Sequence, residues 1–172
     1  MVLAALMILL GMQVAASDLY ARRVSNRVLL SAMVVMAVLH VCGWLFWGRG
    51  LPVVFLAGLV LGLISLLPFY AVGWMGAGDV KYFAVIGFAL GWQALPPVWL
   101  IGSLLAGSHA LCVLAPRYNV MLQAQQWQLL VYLDDQPWWR QLARARQGRS
   151  GIPYAAYLSV GVIAVCLQAV LQ

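Results

Sequence analysis

The sequence predicts an all-α polytopic membrane protein, a bundle of about six transmembrane helices with an interfacial cytoplasmic loop, and three observations carry that prediction. Of 172 residues, 65% are hydrophobic and 8% charged, far below the roughly one-quarter charged share of an average soluble domain. Mean hydropathy is +0.95. The apolar runs approach the ~17–25 residues that cross a ~30 Å hydrocarbon core at 1.5 Å per residue, and they follow each other too closely to leave a soluble domain between them. A single membrane domain over residues 1–172 is expected.

The elements follow in order. Residues 1–16 read as span one rather than a cleaved signal, because no basic region precedes the apolar stretch. Residues 28–47 and 51–70 give spans two and three. Residues 82–94 give a short span four, and Pro96-Pro97 either divides it from span five (95–115) or kinks one longer helix. Residues 154–171 give span six. The long polar connection, 116–153, carries Trp127, Trp138 and Trp139 with Arg140, Arg144 and Arg146, a pattern for an amphipathic segment in the headgroup zone.

Charge placement fixes an expected orientation. With the N-terminus outside, Arg22, Arg23, Arg27, Lys81, Arg117, Arg140, Arg144, Arg146 and Arg149 fall on the cytoplasmic side and Arg49 alone falls outside, as the positive-inside rule requires. The formal net charge of +6 then reports orientation and contact with anionic lipid headgroups. No basic, aromatic-rich module stands outside the membrane, so nucleic acid is not an expected partner.

Several chemistries are excluded by spacing. Cys42, Cys112 and Cys166 are scattered over three spans with no C-x-x-C, which fits small packing residues and not a zinc or disulfide framework. His40 and His109 lack an i, i+4 ligand partner and read as polar groups hydrogen-bonded inside the bundle. Gly73 and Gly78 have phosphate-loop separation, yet Asp79-Val80 stands where Lys-Ser or Lys-Thr is needed; Lys81 takes the third glycine of a dinucleotide fingerprint. Gly58-x-x-x-Gly62 and Gly87-x-x-x-Gly91 fit close helix packing. No H-E-x-x-H or G-x-S-x-G motif is present.

What remains is the acids. All four are aspartates, Asp18, Asp79, Asp134 and Asp135. Asp134 and Asp135 read as solvated loop charges. Asp18 ends span one on the cytoplasmic side, and an out-and-back hairpin through spans two and three returns Asp79 to that same side. Gly76 and Gly78 permit a close backbone approach there. Two carboxylates in a partly desolvated site do not ionise together easily, so one holds a proton while the other acts as a base. That is the equipment for peptide hydrolysis without a metal or a covalent intermediate. Two other readings stand beside it: each Asp caps a helix end, or the chain is a non-enzymatic membrane scaffold or small transporter in a pilus or secretion assembly.

Three segments bear a family likeness. Gly76-Ala77-Gly78-Asp79-Val80-Lys81 resembles the G-x-G-D motif of the type IV prepilin peptidases, with Lys two places after Asp. Asp18-Leu19-Tyr20-Ala21-Arg22-Arg23-Val24-Ser25-Asn26 is similar to that family's first-aspartate segment, although Ser25 stands where many members have Pro. Gly151-Ile152-Pro153-Tyr154-Ala155 resembles the Ile-Pro-aromatic turn that opens its last helix.

The resemblance implies an aspartic endopeptidase with Asp18 and Asp79 as the catalytic pair and Gly76 and Gly78 as motif backbone. Lys81, Arg22, Arg23, Asn26 and Pro153 are its supporting positions, with no metal and no cofactor. It implies a prepilin or pseudopilin substrate with a short basic leader and an apolar N-terminal helix, cut at the cytoplasmic face of the inner membrane. The cysteine-rich zinc segment of larger, methylating members is absent, so the chain is similar to the short, protease-only forms of tight-adherence pilus systems.

Overall fold

A computed structural model describes residues 2–47, 53–114, 132, 136–146 and 152–171. The described residues are helical and carry no strand. Six helices form the bundle: α1 (Val2–Ala21), α2 (Asn26–Trp47), α3 (Val53–Ala71), α4 (Ala77–Leu90), α5 (Leu95–Leu114) and α7 (Tyr154–Leu171), with the ten-residue α6 (Pro137–Arg146) before the last of them. Among the described residues, five stretches are long and apolar enough to cross a membrane: Val2–Ala21, Asn26–Phe46, Val53–Ala71, Trp92–Leu114 and Tyr154–Leu171.

The remaining helix, α4, is the centre of the bundle. Its 14 residues span only ~21 Å at 1.5 Å per residue, short of the ~30 Å core. Nine of them are buried, including the unbroken run from Tyr82 to Ala89. A helix apolar all round is stable only when neighbours cover every face, and α4 packs on α3 most extensively, then on α2, α7, α1 and α5.

The segment read as span four, 82–94, is therefore placed differently. The helix starts at Ala77, five residues earlier, and stops at Leu90. Gly91 ends it in a conformation (φ 85°) that costs a side chain dearly, and the short turn Trp92–Ala94 leads into α5. Spans four and five are thus separate helices, and Pro96-Pro97 lies in the first turn of α5, where proline needs no intrahelical N–H partner. The early start carries Asp79 into the first turn of α4.

Small residues let the backbones meet. A Cβ on Gly58 would run into the Gly87 carbonyl, one on Gly87 would strike that of Gly58, and one on Gly62 would come within 2.9 Å of the Phe83 carbonyl oxygen. This is close packing of α3 on α4 through small residues. Gly91, read with Gly87 as a packing pair, serves instead as the helix stop. The turn from α3 to α4 is fixed by a second left-handed glycine, Gly73 (φ 81°), with Gly73 N–H donating to the Tyr70 carbonyl and Trp74 N–H to that of Phe69, the paired bonds of a Schellman C-cap.

Four polar side chains among the apolar helices, Ser159, Tyr82, His40 and His109, have partners. The Ser159 hydroxyl donates to the Ala155 carbonyl at 2.8 Å, which leaves the Tyr82 hydroxyl to donate to Ser159 Oγ at 3.0 Å. His40 Nε2 lies 3.2 Å from the Phe88 carbonyl, and His109 Nδ1 lies 2.7 Å from the Tyr157 hydroxyl. Cys166 is buried, Cys42 half-buried and Cys112 exposed. In the polar connection, Trp138 and Trp139 of α6 meet edge to face at 5.8 Å between centroids. Arg49, Arg117, Trp127, Asp134, Asp135, Arg149 and Gly151, singled out above, lie outside the described residues, as does the side chain of Arg140.

Candidate active site

The two acids arrive from different helices at one place. Asp18 lies on the inward stripe of α1, Met7, Leu10, Gly11, Val14 and Asp18, so the same periodicity that buries apolar side chains also buries a carboxylate. Asp18 is only 7% exposed. Asp79 lies at the third position of α4, where its Oδ2 accepts from the Gly76 N–H at 3.3 Å. Both line an open cavity of about 910 Å³ together with Ser17, Arg22, Arg23, Gly76 and Tyr154.

A third helix organises them. Pro153 is buried and directly precedes α7, a natural place for proline because the first helical N–H groups lack intrahelical acceptors. Those donors turn to the acids: Ala156 N–H donates to Asp18 Oδ2 at 3.1 Å. The Ala155 N–H acts on both carboxylates. Asp18 thus terminates a helix other than its own, and the positive end of α7 faces both acids.

Electrostatics separates this arrangement from a simple cap. A capping carboxylate is ionised, and one is enough for a helix end. Here, burial first and the nearby Asp18 second push the Asp79 carboxyl up to about 6, against the opposing pull of the Gly76 and Ala155 N–H groups. Two acids at one helix terminus, one of them tending to keep its proton, is the state expected when like charges share a desolvated site.

The supporting residues divide. Gly78 lets the start of α4 press on the α1–α2 connection, since a Cβ there would lie 3.1 Å from Val24 Cβ. A Cβ on Gly76 would lie 3.3 Å from Asp79 Oδ2. Ser17 Oγ donates to the Arg23 carbonyl at 2.6 Å and helps fold that connection back over the cavity. Lys81 does not meet the acids: its Nζ donates to Asn26 Oδ1 at 3.2 Å, joining α4 to the first residue of α2 at an exposed edge. Arg22 and Arg23 line the cavity beside Asp18.

Sequence reasoning missed the Ala155 and Ala156 amides, because a backbone donor leaves no trace in residue identity. Pro153 ahead of an apolar run was the available signal for a helix start at that point.

Neither a search of curated proteins nor a search of solved structures found a match. A family model does match, that of the type IV leader peptidase family, over residues 1–111. The matched stretch contains α1 through most of α5, both acids and the Gly76–Asp79 turn, and it stops short of Pro153 and α7. With well over half of its 172 residues inside that match, the chain belongs to the type IV leader peptidase family.

Proposed function

We propose that this peptidase is an intramembrane aspartic endopeptidase, a single membrane domain that removes the short basic leader of type IV prepilins or pseudopilins at the cytoplasmic face of the inner membrane. The observation that carries the reading is the convergence of Asp18 and Asp79 on one open cavity beside the start of α7, where Asp18 accepts the Ala156 N–H. Family membership supports a leader peptidase role in general; the charge asymmetry of the loops supports the cytoplasmic face.

The roles follow from the surroundings. Asp18, accepting the Ala156 N–H, takes the proton of an attacking water. Asp79, whose carboxyl is pushed up to about 6, carries the shared proton and polarises the scissile carbonyl. Water oxygen bonds to the carbonyl carbon, the tetrahedral intermediate collapses, and a proton passes to the leaving amine as the C–N bond breaks. Asp18 passes the proton it took from water to the amine, Asp79 keeps its own, and both carboxyls are back in their starting states; because they share one site they titrate as a coupled pair.

Co-expression with small secreted proteins carrying a basic leader and an apolar N-terminal helix tests the reading by mass. The leader is lost with the wild type and retained with D79N. Loss of the leader in the presence of D79N would exclude Asp79 from the chemistry.

A further inference from the structure

At the end of α1, beside the cavity, two arginines from distant parts of the chain come near each other. Arg22 follows the last residue of α1 in the left-handed conformation, φ 52°, a place that glycine fills cheaply and a longer side chain does not. Its N–H donates to the Asp18 carbonyl at 3.0 Å, so the backbone of the last helical turn fixes where the side chain leaves. Arg146 is the last residue of α6. It donates from Nη2 to the Leu19 carbonyl at 3.1 Å and lies 5.9 Å from the centre of the Trp139 ring.

These contacts set two positive charges against each other. Burial and the Arg146 charge pull the Arg22 guanidinium below its usual pKa, and Asp18 opposes that only in part. The Nε of Arg146 is buried and has no hydrogen-bond partner among the described residues. Two half-buried like charges, with a buried Arg146 donor left over, favour an anion between them.

We propose that Arg22 and Arg146 form a phosphate-binding subsite at the end of α1, filled by the phosphate of an anionic lipid headgroup. Two guanidinium forks match phosphate oxygens in geometry as well as charge. The choice of a lipid rests on α6, a short helix with exposed Trp138, half-buried Trp139 and basic residues in its last turn. Indole rings and arginines on an amphipathic helix favour headgroup depth, where phosphate is the abundant anion. Arg146 also approaches from the α6 side and does not line the cavity that holds the acids. A phosphate bridging the two arginines would tie α6 to the end of α1, one turn from Asp18. The inference is independent of any catalytic role for the aspartates.

The test uses the full chain in neutral maltoside micelles, titrated with dioctanoyl phosphatidylglycerol, dioctanoyl phosphatidylcholine or inorganic phosphate. Thermal unfolding and native mass spectrometry are the readouts. Phosphatidylglycerol is expected to raise the unfolding temperature and remain as one bound lipid, and phosphatidylcholine is not. R146Q is expected to weaken that binding by roughly tenfold or more and R146K by less, because Lys keeps the charge but not the fork. R144Q removes the same charge from an exposed position of the same helix, and it should change binding by no more than about twofold if diffuse attraction is the minor part. Competition by inorganic phosphate would identify the phosphate group itself as the ligand; binding of the lipid alone would identify the headgroup within its bilayer-like setting. Should R146Q fail to fold, R146K and R22Q carry the same comparison. Equal losses in R144Q and R146Q, unchanged binding in R146K and R22Q, or stabilisation by neither phosphatidylglycerol nor inorganic phosphate would each overturn the proposal.

Discussion

Replacing Gly58 by alanine should damage both the fold and the reaction, although Gly58 is far along α3 from the cavity. The added Cβ would fall on the Gly87 carbonyl and 3.0 Å from the Trp92 nitrogen. No side chain can rotate away, because the obstruction is backbone. Restoring ordinary contact at ~3.5–4 Å requires α3 and α4 to part by about an ångström or more. Overpacking of this kind costs typically ~1–3 kcal/mol, and with main chain on both sides the upper end applies. Because α4 also carries Asp79, eight residues before Gly87, the shift is delivered to the cavity, where a displacement of ~1 Å costs on the order of 10²-fold in rate. Gly107→Ala is the control: nothing lies within 4 Å of its Cβ, and alanine in a helix is favoured over glycine by up to ~1 kcal/mol. Unfolding temperature in detergent and leader cleavage in reconstituted bilayers read the two effects. Wild-type stability and wild-type cleavage in Gly58→Ala would refute the close seating of α3 on α4.

Three further outcomes are expected. Because the folded protein holds the Asp79 carboxyl up at about 6 rather than 3.8, it binds that proton more tightly than the unfolded chain. This contribution to stability is complete below about pH 4 and lost as pH rises through about 6. Leader cleavage should therefore decline on an alkaline limb at or above about pH 6. D79N should be more stable than the wild type well above that pH, by up to about 3 kcal/mol, and unfold at a correspondingly higher temperature. A flat stability profile for the wild type from pH 4 to 8 would contradict the raised pKa of Asp79. Ser159→Ala should cost about 1–3 kcal/mol by orphaning the buried Tyr82 hydroxyl, and Tyr82→Phe less, since Ser159 keeps its bond to the Ala155 carbonyl; equal losses in thermal unfolding would reverse the assigned donor. Lys81→Met should cost under about 1 kcal/mol and leave cleavage within a few-fold, because its bond to Asn26 is exposed. A thousand-fold loss of cleavage would give Lys81 a role that its position does not supply.

Much of the bundle was legible because long apolar runs have few alternatives, and α1 shows why: its buried stripe is written at helical spacing from Met7 to Asp18. The limits of α4 were not legible. Ala77, Gly78 and Asp79 read as loop by composition, and nothing local says that a helix begins there; burial of its apolar remainder by five neighbours decides it. Gly87 and Gly91 have the same spacing as Gly58 and Gly62, but only backbone conformation distinguishes a packing glycine from a helix stop. In the site, pairing Asp18 with Asp79 needed only a hairpin count. The reach of Asp18 to α7, 138 residues away, and the meeting of Arg146 with the end of α1 depend on tertiary placement that no local pattern encodes.

The central claim is that two aspartates act as one catalytic unit, and it is tested most directly by the initial rate of leader cleavage by D18N, D79N and the double variant, reconstituted in bilayers and verified as folded by thermal unfolding. Each single variant should be as inactive as the double, because a shared-proton mechanism has no partial form. Wild-type cleavage by either single variant, with the protein folded, would contradict it.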